Sequence, residues 1–134
     1  MPRRVEYSSG TDWEAAFGYS RAVRVGDCIR VSGTAAVEDG ETVAPNDPYG
    51  QAVHIFETVG DALDEFDAGP ADVVATRVYV VEFDDWEPVG RAHREFFGDV
   101  RPATTLLEVA SLPAPDLRLE IEVEAVAPEG DGER

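Results

Sequence analysis

The sequence predicts a single α+β domain with the element order ββαβαββ, in which two helices cover one face of a β-sheet. Three observations support this prediction. The chain has 134 residues, which is the length of one ordinary domain. Two stretches carry apolar residues at helical spacing, whereas the other apolar stretches alternate or are rich in β-branched residues. Strands and helices are interleaved without any internal repeat, which favours a two-layer architecture.

The first two strands come from residues 19–37, YSRAVRVGDCIRVSGTAAV. They are joined at Gly26-Asp27, a pair typical of a short hairpin turn. Cys28 lies in the apolar run CIRVSG, so we expect a buried structural thiol. As the only cysteine, it also excludes an intrachain disulfide and a cysteine-based zinc cluster.

The first helix follows the turn-rich loop VEDGETVAPNDP and begins with Asp47 as its N-cap and Pro48 at the first helical position. It is predicted to end near Gly69-Pro70. Its apolar positions recur at intervals of three and four: Ala52, Ile55, Phe56, Val59, Leu63 and Phe66.

The second half of the chain supplies a strand over 73–81, a helix capped by Asp85 and ended by Gly98, and strands over 104–109 and 117–126. Arg77 lies in the first of these strands and needs a carboxylate partner. His93 shares the apolar face of the helix and is interpreted as a core or interface histidine.

Two helices cannot cover both faces of such a sheet, so we expect the open face to pack against another subunit. The domain spans 1–134, and residues 1–10 and 128–134 are expected to be flexible.

The net charge is −17, and all eleven basic residues are arginine. Such a charge repels phosphates and argues against a nucleic-acid partner. It is typical of proteins that work in high salt, so we predict a halophilic source. The sequence has neither a long apolar segment nor a secretory leader, which predicts a cytoplasmic protein without a membrane partner. No motif for a metal or another cofactor is present.

Several segments together resemble the RidA/YjgF family, whose members are also labelled L-PSP endoribonucleases or reactive-intermediate deaminases. The matching segments are VSGT (31–34), the helix after DPYGQA, VYVVEFDDW (78–86), HREFF (93–97), RPATTLLEVASLP (101–113) and LEIEVEAVA (119–127). The resemblance implies a chorismate-mutase-like fold and a homotrimer with small-molecule pockets at the subunit interfaces.

In the deaminases of this family, an arginine at the start of the penultimate strand holds the substrate carboxylate in a bidentate pair. Thr104 occupies that position here, after the matching Pro102 and Ala103. Because side chains alternate along a strand, Arg101 would point to the opposite face from Thr104, although a bend at Pro102 could redirect it.

The resemblance also places other residues in the pocket. Glu120 corresponds to the glutamate that orients the attacking water and is the candidate catalytic residue. The candidate ligand-binding residues are Tyr19, Ser32, Gly33, Gly90, Arg101, Thr104 and Leu106.

Three functions remain open at this point. The first is hydrolysis of an imine or enamine other than a standard 2-imino acid. The second is non-catalytic ligand binding or regulation by the same trimer. The third is the ribonuclease activity of the family label, which the absence of lysine and the net charge of −17 argue against.

Overall fold

The computed structural model describes residues 2–129 and consists of one six-stranded sheet, a small hairpin and three α-helices. The helices are α1 Asp12–Phe17, α2 Pro48–Glu65 and α3 Trp86–Phe97. The strands of the sheet are β1 Arg4–Tyr7, β2 Ala22–Val25, β3 Cys28–Thr34, β6 Val73–Val80, β7 Ala103–Glu108 and β8 Leu119–Val126. The hairpin consists of β4 Val37–Glu38 and β5 Glu41–Thr42.

The strand order in the sheet is β1-β2-β3-β8-β6-β7. The last strand, β8, runs antiparallel to both β3 and β6, whereas β6 and β7 are parallel and are connected through α3. A parallel pair needs such a crossover, because a hairpin can join only antiparallel strands. The strand that carries Thr104, β7, therefore lies at an edge of the sheet.

The core lies between one face of this sheet and the helices α2 and α3. Burial alternates along β8, where Leu119, Ile121 and Val123 are buried and the intervening glutamates are partly exposed. Ile55 and Phe56 of α2 are also buried. The predicted α+β class, with two long helices on one sheet face, is confirmed.

The N-terminal segment differs from the prediction of a flexible residue range 1–10. Arg4–Tyr7 forms β1, which pairs with β2, and α1 follows it. Thr11 caps this helix by accepting a hydrogen bond from the Glu14 backbone N–H at 3.2 Å, and Gly18 ends it in the left-handed conformation. Six residues are too few for a helical periodicity to be recognised in the sequence.

Two side-chain predictions are wrong. Cys28 is exposed rather than buried, because Ile29 and Val31 point to the core and alternation turns Cys28 outward. Asp85 makes no capping hydrogen bond to α3. Its carboxylate instead accepts hydrogen bonds from Arg118 Nη2 at 2.8 Å and Nε at 3.0 Å, which fixes the start of α3 to the segment preceding β8.

Arg24 joins three parts of the fold. Its buried guanidinium donates hydrogen bonds to the carbonyl oxygens of Gly26 at 2.9 Å, Phe66 at 2.8 Å and Ala127 at 2.7 Å. These carbonyls belong to the β2–β3 turn, the end of α2 and the end of β8. Between residues 2 and 129 no carboxylate pairs with Arg24, and backbone acceptors satisfy its guanidinium instead.

Near the C-terminus, the Glu129 backbone N–H donates a hydrogen bond to Asp27 Oδ1 at 2.9 Å. Residues 130–134, the rest of the tail that was predicted to be flexible, lie outside the described residues. Among residues 2–129, no helix has the length and apolar character needed to cross a membrane.

Candidate functional site

Glu120 lies on the open face of the sheet, opposite the helices. The alternation along β8 places Glu120, Glu122 and Glu124 on this face. Glu120 is only partly exposed, because the strands on either side and the loop before β8 flank it. The predicted catalytic residue is therefore a half-buried carboxyl group on the face that the two long helices leave open.

Gly33 makes room for Glu120. The register between β3 and β8 shifts between Val31 and Thr34, which is a β-bulge at Ser32-Gly33. A Cβ atom on residue 33 would overlap Glu120 Oε1. Only glycine therefore permits this approach of the carboxyl group to β3. The hydroxyl of Ser32 donates to the Ser20 carbonyl at 2.7 Å, which holds the bulge against the preceding loop.

A cleft of about 1090 Å³ extends from Glu120 and Gly33 toward α1 and α2. We call it the Glu120 cleft. Trp13 and Phe17 of α1 contribute exposed aromatic rings to its wall, and Tyr19 lies in edge-to-face contact with Phe17. Besides these aromatic rings, the cleft is lined by many polar side chains, including the acidic residues Glu57 and Asp61 of α2 and Glu120.

Arg21 is a buried arginine of this cleft that the sequence analysis did not identify. Its Nη1 donates to the Gly33 carbonyl at 3.1 Å and to Thr34 Oγ1 at 3.0 Å, and its Nη2 donates to the Tyr19 hydroxyl at 3.1 Å. Its Nε lies 3.6 Å from Glu14 Oε2. Because Arg21 donates to the Tyr19 oxygen, the phenolic proton of Tyr19 is left to point elsewhere, toward a ligand or solvent.

Glu14 completes this charged arrangement. Its carboxylate is buried and accepts hydrogen bonds from Ser8, Ser9 and Thr11. Burial raises the pKa of Glu14, but hydrogen bonds from Ser9, Ser8 and Thr11 outweigh it, so the pKa is lower than usual. Thr11 and Glu14 have the spacing of a capping box, which is a local sequence signal for the start of α1. No sequence signal pointed to Arg21, whose partners Gly33 and Thr34 are 12 and 13 residues away.

The pKa of Glu120 is raised above its ordinary value, mainly by burial. The positive charge of Arg21 lowers the pKa, and the nearby Glu122 raises it further. A carboxyl group with a raised pKa exchanges protons closer to neutral pH, as a general acid or base requires.

A smaller cavity of about 290 Å³ adjoins Glu120 on the side of β6. There the Tyr79 hydroxyl donates a hydrogen bond to Glu122. The carboxylate partner predicted for Arg77 is present, because Nη2 lies 2.8 Å from Glu124 Oε2. Glu122 and Glu124 are thus paired with other side chains, whereas no hydrogen bond or ion pair of the Glu120 carboxyl group is found among residues 2–129, where Arg21 and Glu122 act on it electrostatically.

A second group of candidate residues lies at the β7 edge. The Thr104 hydroxyl is 2.8 Å from Thr76 Oγ1 and 3.4 Å from His93 Nε2, and Thr76 Oγ1 is 3.0 Å from His93 Nε2. We call Thr76, His93 and Thr104 the β7 cluster. Burial lowers the pKa of His93, so the imidazole is neutral at neutral pH and the cluster carries no charge there.

The remaining candidates are close to the β7 cluster in the fold. Gly90 and His93 lie on α3, and Leu106 packs against the core. Arg101 is exposed, and its backbone is left-handed with φ of 51°. Because Arg101 precedes the first residue of β7, strand alternation does not determine where its side chain points.

The Glu120 cleft and the β7 cluster are on opposite faces of the sheet. Thr104 is in register with Thr76, and Thr76 with Val123, a buried residue on the helix side. Glu120 points to the other side. One subunit therefore brings Tyr19, Ser32, Gly33 and Glu120 together but does not bring Thr104, Gly90 or Leu106 to them.

Within residues 2–129, no group of three or more histidine, cysteine, aspartate or glutamate side chains is arranged to hold a metal ion.

Comparison with known proteins identifies the class of protein to which this fold belongs. The sequence model of the family described as Endoribonuclease L-PSP matches residues 10–127. The chain therefore belongs to this family, which is the RidA/YjgF family.

Individual relatives cover nearly the whole chain. An uncharacterized protein of Streptomyces coelicolor is 42% identical over 123 residues, which are 92% of this chain and 90% of the relative. The 3-aminoacrylate deaminase RutC of Acinetobacter baylyi is 26% identical and covers 90% of this chain and 95% of its own. A crystal structure from Mycobacterium tuberculosis, a member of the YjgF/YER057c/UK114 family, is 40% identical with a TM-score of 0.85 and covers 93% of this chain and 100% of its own.

Proposed function

We propose that the protein is a homotrimeric hydrolase of small metabolites that contain a C=N bond or an enamine, with one pocket at each subunit interface. The observation that carries this proposal is the half-buried Glu120, whose carboxyl group with its raised pKa lies over Gly33 in the cleft. The deaminase name of one relative supports the reaction type.

The reaction follows from the groups around the cleft. Ionised Glu120 accepts a proton from water while the water oxygen bonds to the carbon of the C=N group. Glu120 passes that proton to the nitrogen, which gives a carbinolamine. Glu120 then takes the hydroxyl proton and transfers it to the nitrogen, so the C=O bond forms as the C–N bond breaks, and ammonia and a carbonyl compound are released. The Tyr19 hydroxyl, which accepts a hydrogen bond from Arg21, can donate its proton to the substrate and so help to orient it.

The trimer is proposed because the two groups of candidate residues lie on opposite sheet faces. If the open face of one subunit packs beside the β7 edge of the next, each pocket combines Glu120 from one chain with Thr104 from another. Sedimentation of the purified protein tests the assembly, and a stable monomer would contradict it.

A mixing experiment tests which chain supplies each residue. Glu120→Gln and Thr104→Phe subunits would be refolded separately and as a 1:1 mixture. If the pocket is shared between subunits, about a quarter of the mixed pockets carry both native residues, so activity returns to the mixture. Activity that stays absent from the mixture, while both variants form trimers, would contradict a shared pocket.

Standard 2-imino acids are proposed to be poor substrates. Thr104 offers a neutral hydroxyl where the family arginine would pair with a carboxylate, and a charge-assisted hydrogen bond contributes about 1.5–3 kcal/mol. Its loss in the transition state slows the reaction roughly 10- to 150-fold.

Ammonia release from enzymatically generated 2-iminobutanoate tests this expectation. Wild type should be slow, and Thr104→Arg should be faster. Rapid wild-type turnover that is lost in Arg101→Ala would show that Arg101 supplies the missing charge, and it would contradict the proposed substrate preference.

Non-catalytic ligand binding by the same trimer is the second candidate. It is favoured by Thr104, whose neutral hydroxyl lies 2.8 Å from Thr76 Oγ1 and can bind a ligand without supplying a charge for catalysis. The absence of ammonia or amine release from any imine, together with saturable ligand binding that Glu120→Gln leaves unchanged, would favour this candidate.

We also infer that the protein works in the cytoplasm of a cell with high internal salt, without nucleic-acid or membrane partners. The net charge of −17 supports this inference, since the Debye length shortens from ~30 Å at 0.01 M salt to ~3 Å at 1 M. The midpoint of thermal unfolding should rise from low to multimolar salt, and an unchanged midpoint would contradict the inference.

A further inference from the structure

The β7 cluster forms a continuous chain of hydrogen-bonding groups from the surface to the interior. Thr104 is exposed, Thr76 is 1% exposed, and His93 is half-buried between them and the aromatic rings of Phe56 and Phe97. Thr76 Oγ1 lies 2.8 Å from Thr104 Oγ1 and 3.0 Å from His93 Nε2. The fully buried Thr76 hydroxyl cannot reach solvent, so its single proton must go to one of these two neighbours.

The hydrogen bonds between His93, Thr76 and Thr104 can therefore run in either of two directions. When His93 carries its proton on Nε2, His93 donates to Thr76, Thr76 donates to Thr104, and the Thr104 hydroxyl is left free to donate outward or to the Pro102 carbonyl, 3.2 Å away. When His93 carries the proton on Nδ1, Nε2 accepts from Thr76, Thr76 accepts from Thr104, and the Thr104 oxygen is left to accept. Both directions satisfy the buried Thr76.

We propose that the chain His93–Thr76–Thr104 determines ligand specificity by presenting, at Thr104 Oγ1, a reversible donor or acceptor to a neutral polar group such as a carboxamide, carbonyl or hydroxyl. This inference rests on the proposed function, because it places Thr104 in the shared pocket. It extends that function by naming the substrate class: the neutral counterparts of 2-imino acids, such as their amides.

The physical reason is the difference between a guanidinium group and this chain. A guanidinium has only donors and a fixed positive charge, which suits a carboxylate. The β7 cluster brings no charge, so a carboxylate at Thr104 would lose water without gaining a counter-ion there. A carboxamide presents both a donor and an acceptor, and a chain that can reverse its direction accommodates either end.

The experiment uses a matched pair of product-like probes, 2-oxobutanamide and 2-oxobutanoate, titrated into the trimeric protein by calorimetry. Wild type should bind the amide about 10-fold more tightly than the acid, which corresponds to one hydrogen bond of ~1.4 kcal/mol. Thr104→Val and Thr76→Val should each abolish this preference. Thr105→Val is the matched control, because it removes a hydroxyl from the other side of the same strand, and it should keep the preference.

A second readout separates a role in binding from a role in structure. The protein has two histidines, and the ¹⁵N chemical shifts of their rings report which nitrogen carries the proton. Binding of the amide should change the Nδ1 and Nε2 shifts of His93; His54 lines the Glu120 cleft and serves only to assign the two rings. The change should disappear in Thr104→Val, in which His93 is still present but the hydroxyl that contacts the ligand, and that also lies 3.4 Å from His93 Nε2, is removed.

The outcomes are distinguishable. Equal binding of both probes, a preference for the acid, or a preference that survives Thr104→Val would overturn the inference and leave the proposed hydrolase intact. If neither probe binds and Glu120→Gln does not alter imine hydrolysis, the proposed function fails and the inference fails with it. If Thr76→Val does not fold, the exposed Thr104→Val and the control Thr105→Val still decide the question.

Discussion

The Glu120 cleft and the β7 cluster satisfy the hydrogen-bonding needs of their buried polar side chains in different ways. In the cleft, charged groups are buried together: Arg21 donates to Tyr19, Gly33 and Thr34 and lies beside the buried Glu14. In the β7 cluster, two hydroxyl groups and a neutral imidazole satisfy one another without charge. The first arrangement fixes geometry through strong electrostatic interactions, whereas the second keeps a choice of hydrogen-bond direction.

The two regions therefore differ in how much stability a substitution costs. A buried ion pair is costly to alter, because removing one partner leaves the other charge unpaired. A neutral chain can be altered one hydroxyl at a time at a cost of about 1 kcal/mol. The cleft is therefore suited to a fixed catalytic role. The β7 edge is suited to ligand recognition that single substitutions can alter.

The largest expected effect is that of Gly33→Ala on activity. The added Cβ would overlap Glu120 Oε1 and displace the carboxyl group, whose flexible side chain can move without unfolding β8. Imine hydrolysis should fall on the order of 10²- to 10⁴-fold, the usual contribution of a general base.

The control for Gly33→Ala is Gly60→Ala in α2, where a Cβ would meet Phe96 only at an ordinary 3.8 Å. This control should keep full activity and gain roughly 0.5–1 kcal/mol of helix stability. Equal loss of activity in both variants would show that the effect of Gly33→Ala is not local to Glu120.

The next prediction compares the two regions by the free energy of unfolding that a substitution in each would cost. Arg21→Met should lower the free energy of unfolding by about 3–5 kcal/mol, because it leaves buried Glu14 without its cation and the Gly33 carbonyl without a donor. Thr76→Val in the neutral cluster should lower it by only about 1–2 kcal/mol. Urea unfolding of both variants provides the measurement, and equal losses would remove the distinction drawn between the regions.

The two regions should also respond to pH with opposite signs. Burial lowers the pKa of His93, so the unfolded chain binds more protons, and the His93 contribution is lost as pH falls below its unfolded value of about 6.5. The pKa of Glu120 is raised, so its stabilising contribution is present at acidic pH and is lost as pH rises above about 4.5.

Thermal unfolding of wild type, His93→Gln and Glu120→Gln between pH 4 and 8 tests these signs. His93→Gln should reduce the loss of stability on acidification, and Glu120→Gln should stabilise the protein near neutral pH. Parallel curves for all three proteins would contradict both assignments.

The smallest expected effect concerns Arg101, next to the β7 cluster. Its φ of 51° is left-handed, which costs a non-glycine residue about 1 kcal/mol. Arg101→Gly should therefore raise the free energy of unfolding by roughly that amount, whereas Arg101→Ala, which also removes the guanidinium but keeps a Cβ, should not. Chemical denaturation of the pair separates backbone strain from the loss of the side chain.

The sequence predicted regular elements better than it predicted the partners of polar residues. The alternation around Glu120 and the apolar spacing of α2 are local patterns, so they reveal the strand and the helix directly. Cys28 was assigned from its apolar neighbours, but the strand alternation of Ile29 and Val31 turns it outward. Asp85 has the sequence position of an N-cap, yet Arg118, which is distant in sequence, binds it instead.

The candidate site shows the same limit. The resemblance to a family supplied Glu120, Gly33 and Thr104, because those residues stand in recognisable motifs. Arg21 and Thr76 belong to no motif, and each acquires its role from a contact between elements that are separate in the chain. The covering of the open face is proposed to come from a second subunit, and no pattern within one chain specifies such a covering beyond the apolar alternation of the strands.

The three carbonyls bound by Arg24 have a consequence for how the chain folds. One of them, at Ala127, is 103 residues distant in sequence, so this guanidinium can be satisfied only after the C-terminal strand has joined the sheet. In a ribosome-bound chain that lacks β8, Arg24 could bind the carbonyls of Gly26 and Phe66. Its third acceptor, the Ala127 carbonyl, would be missing. We expect folding during synthesis to remain incomplete until Ala127 has emerged, and a chain that lacks Ala127 to be destabilised around Arg24 as well.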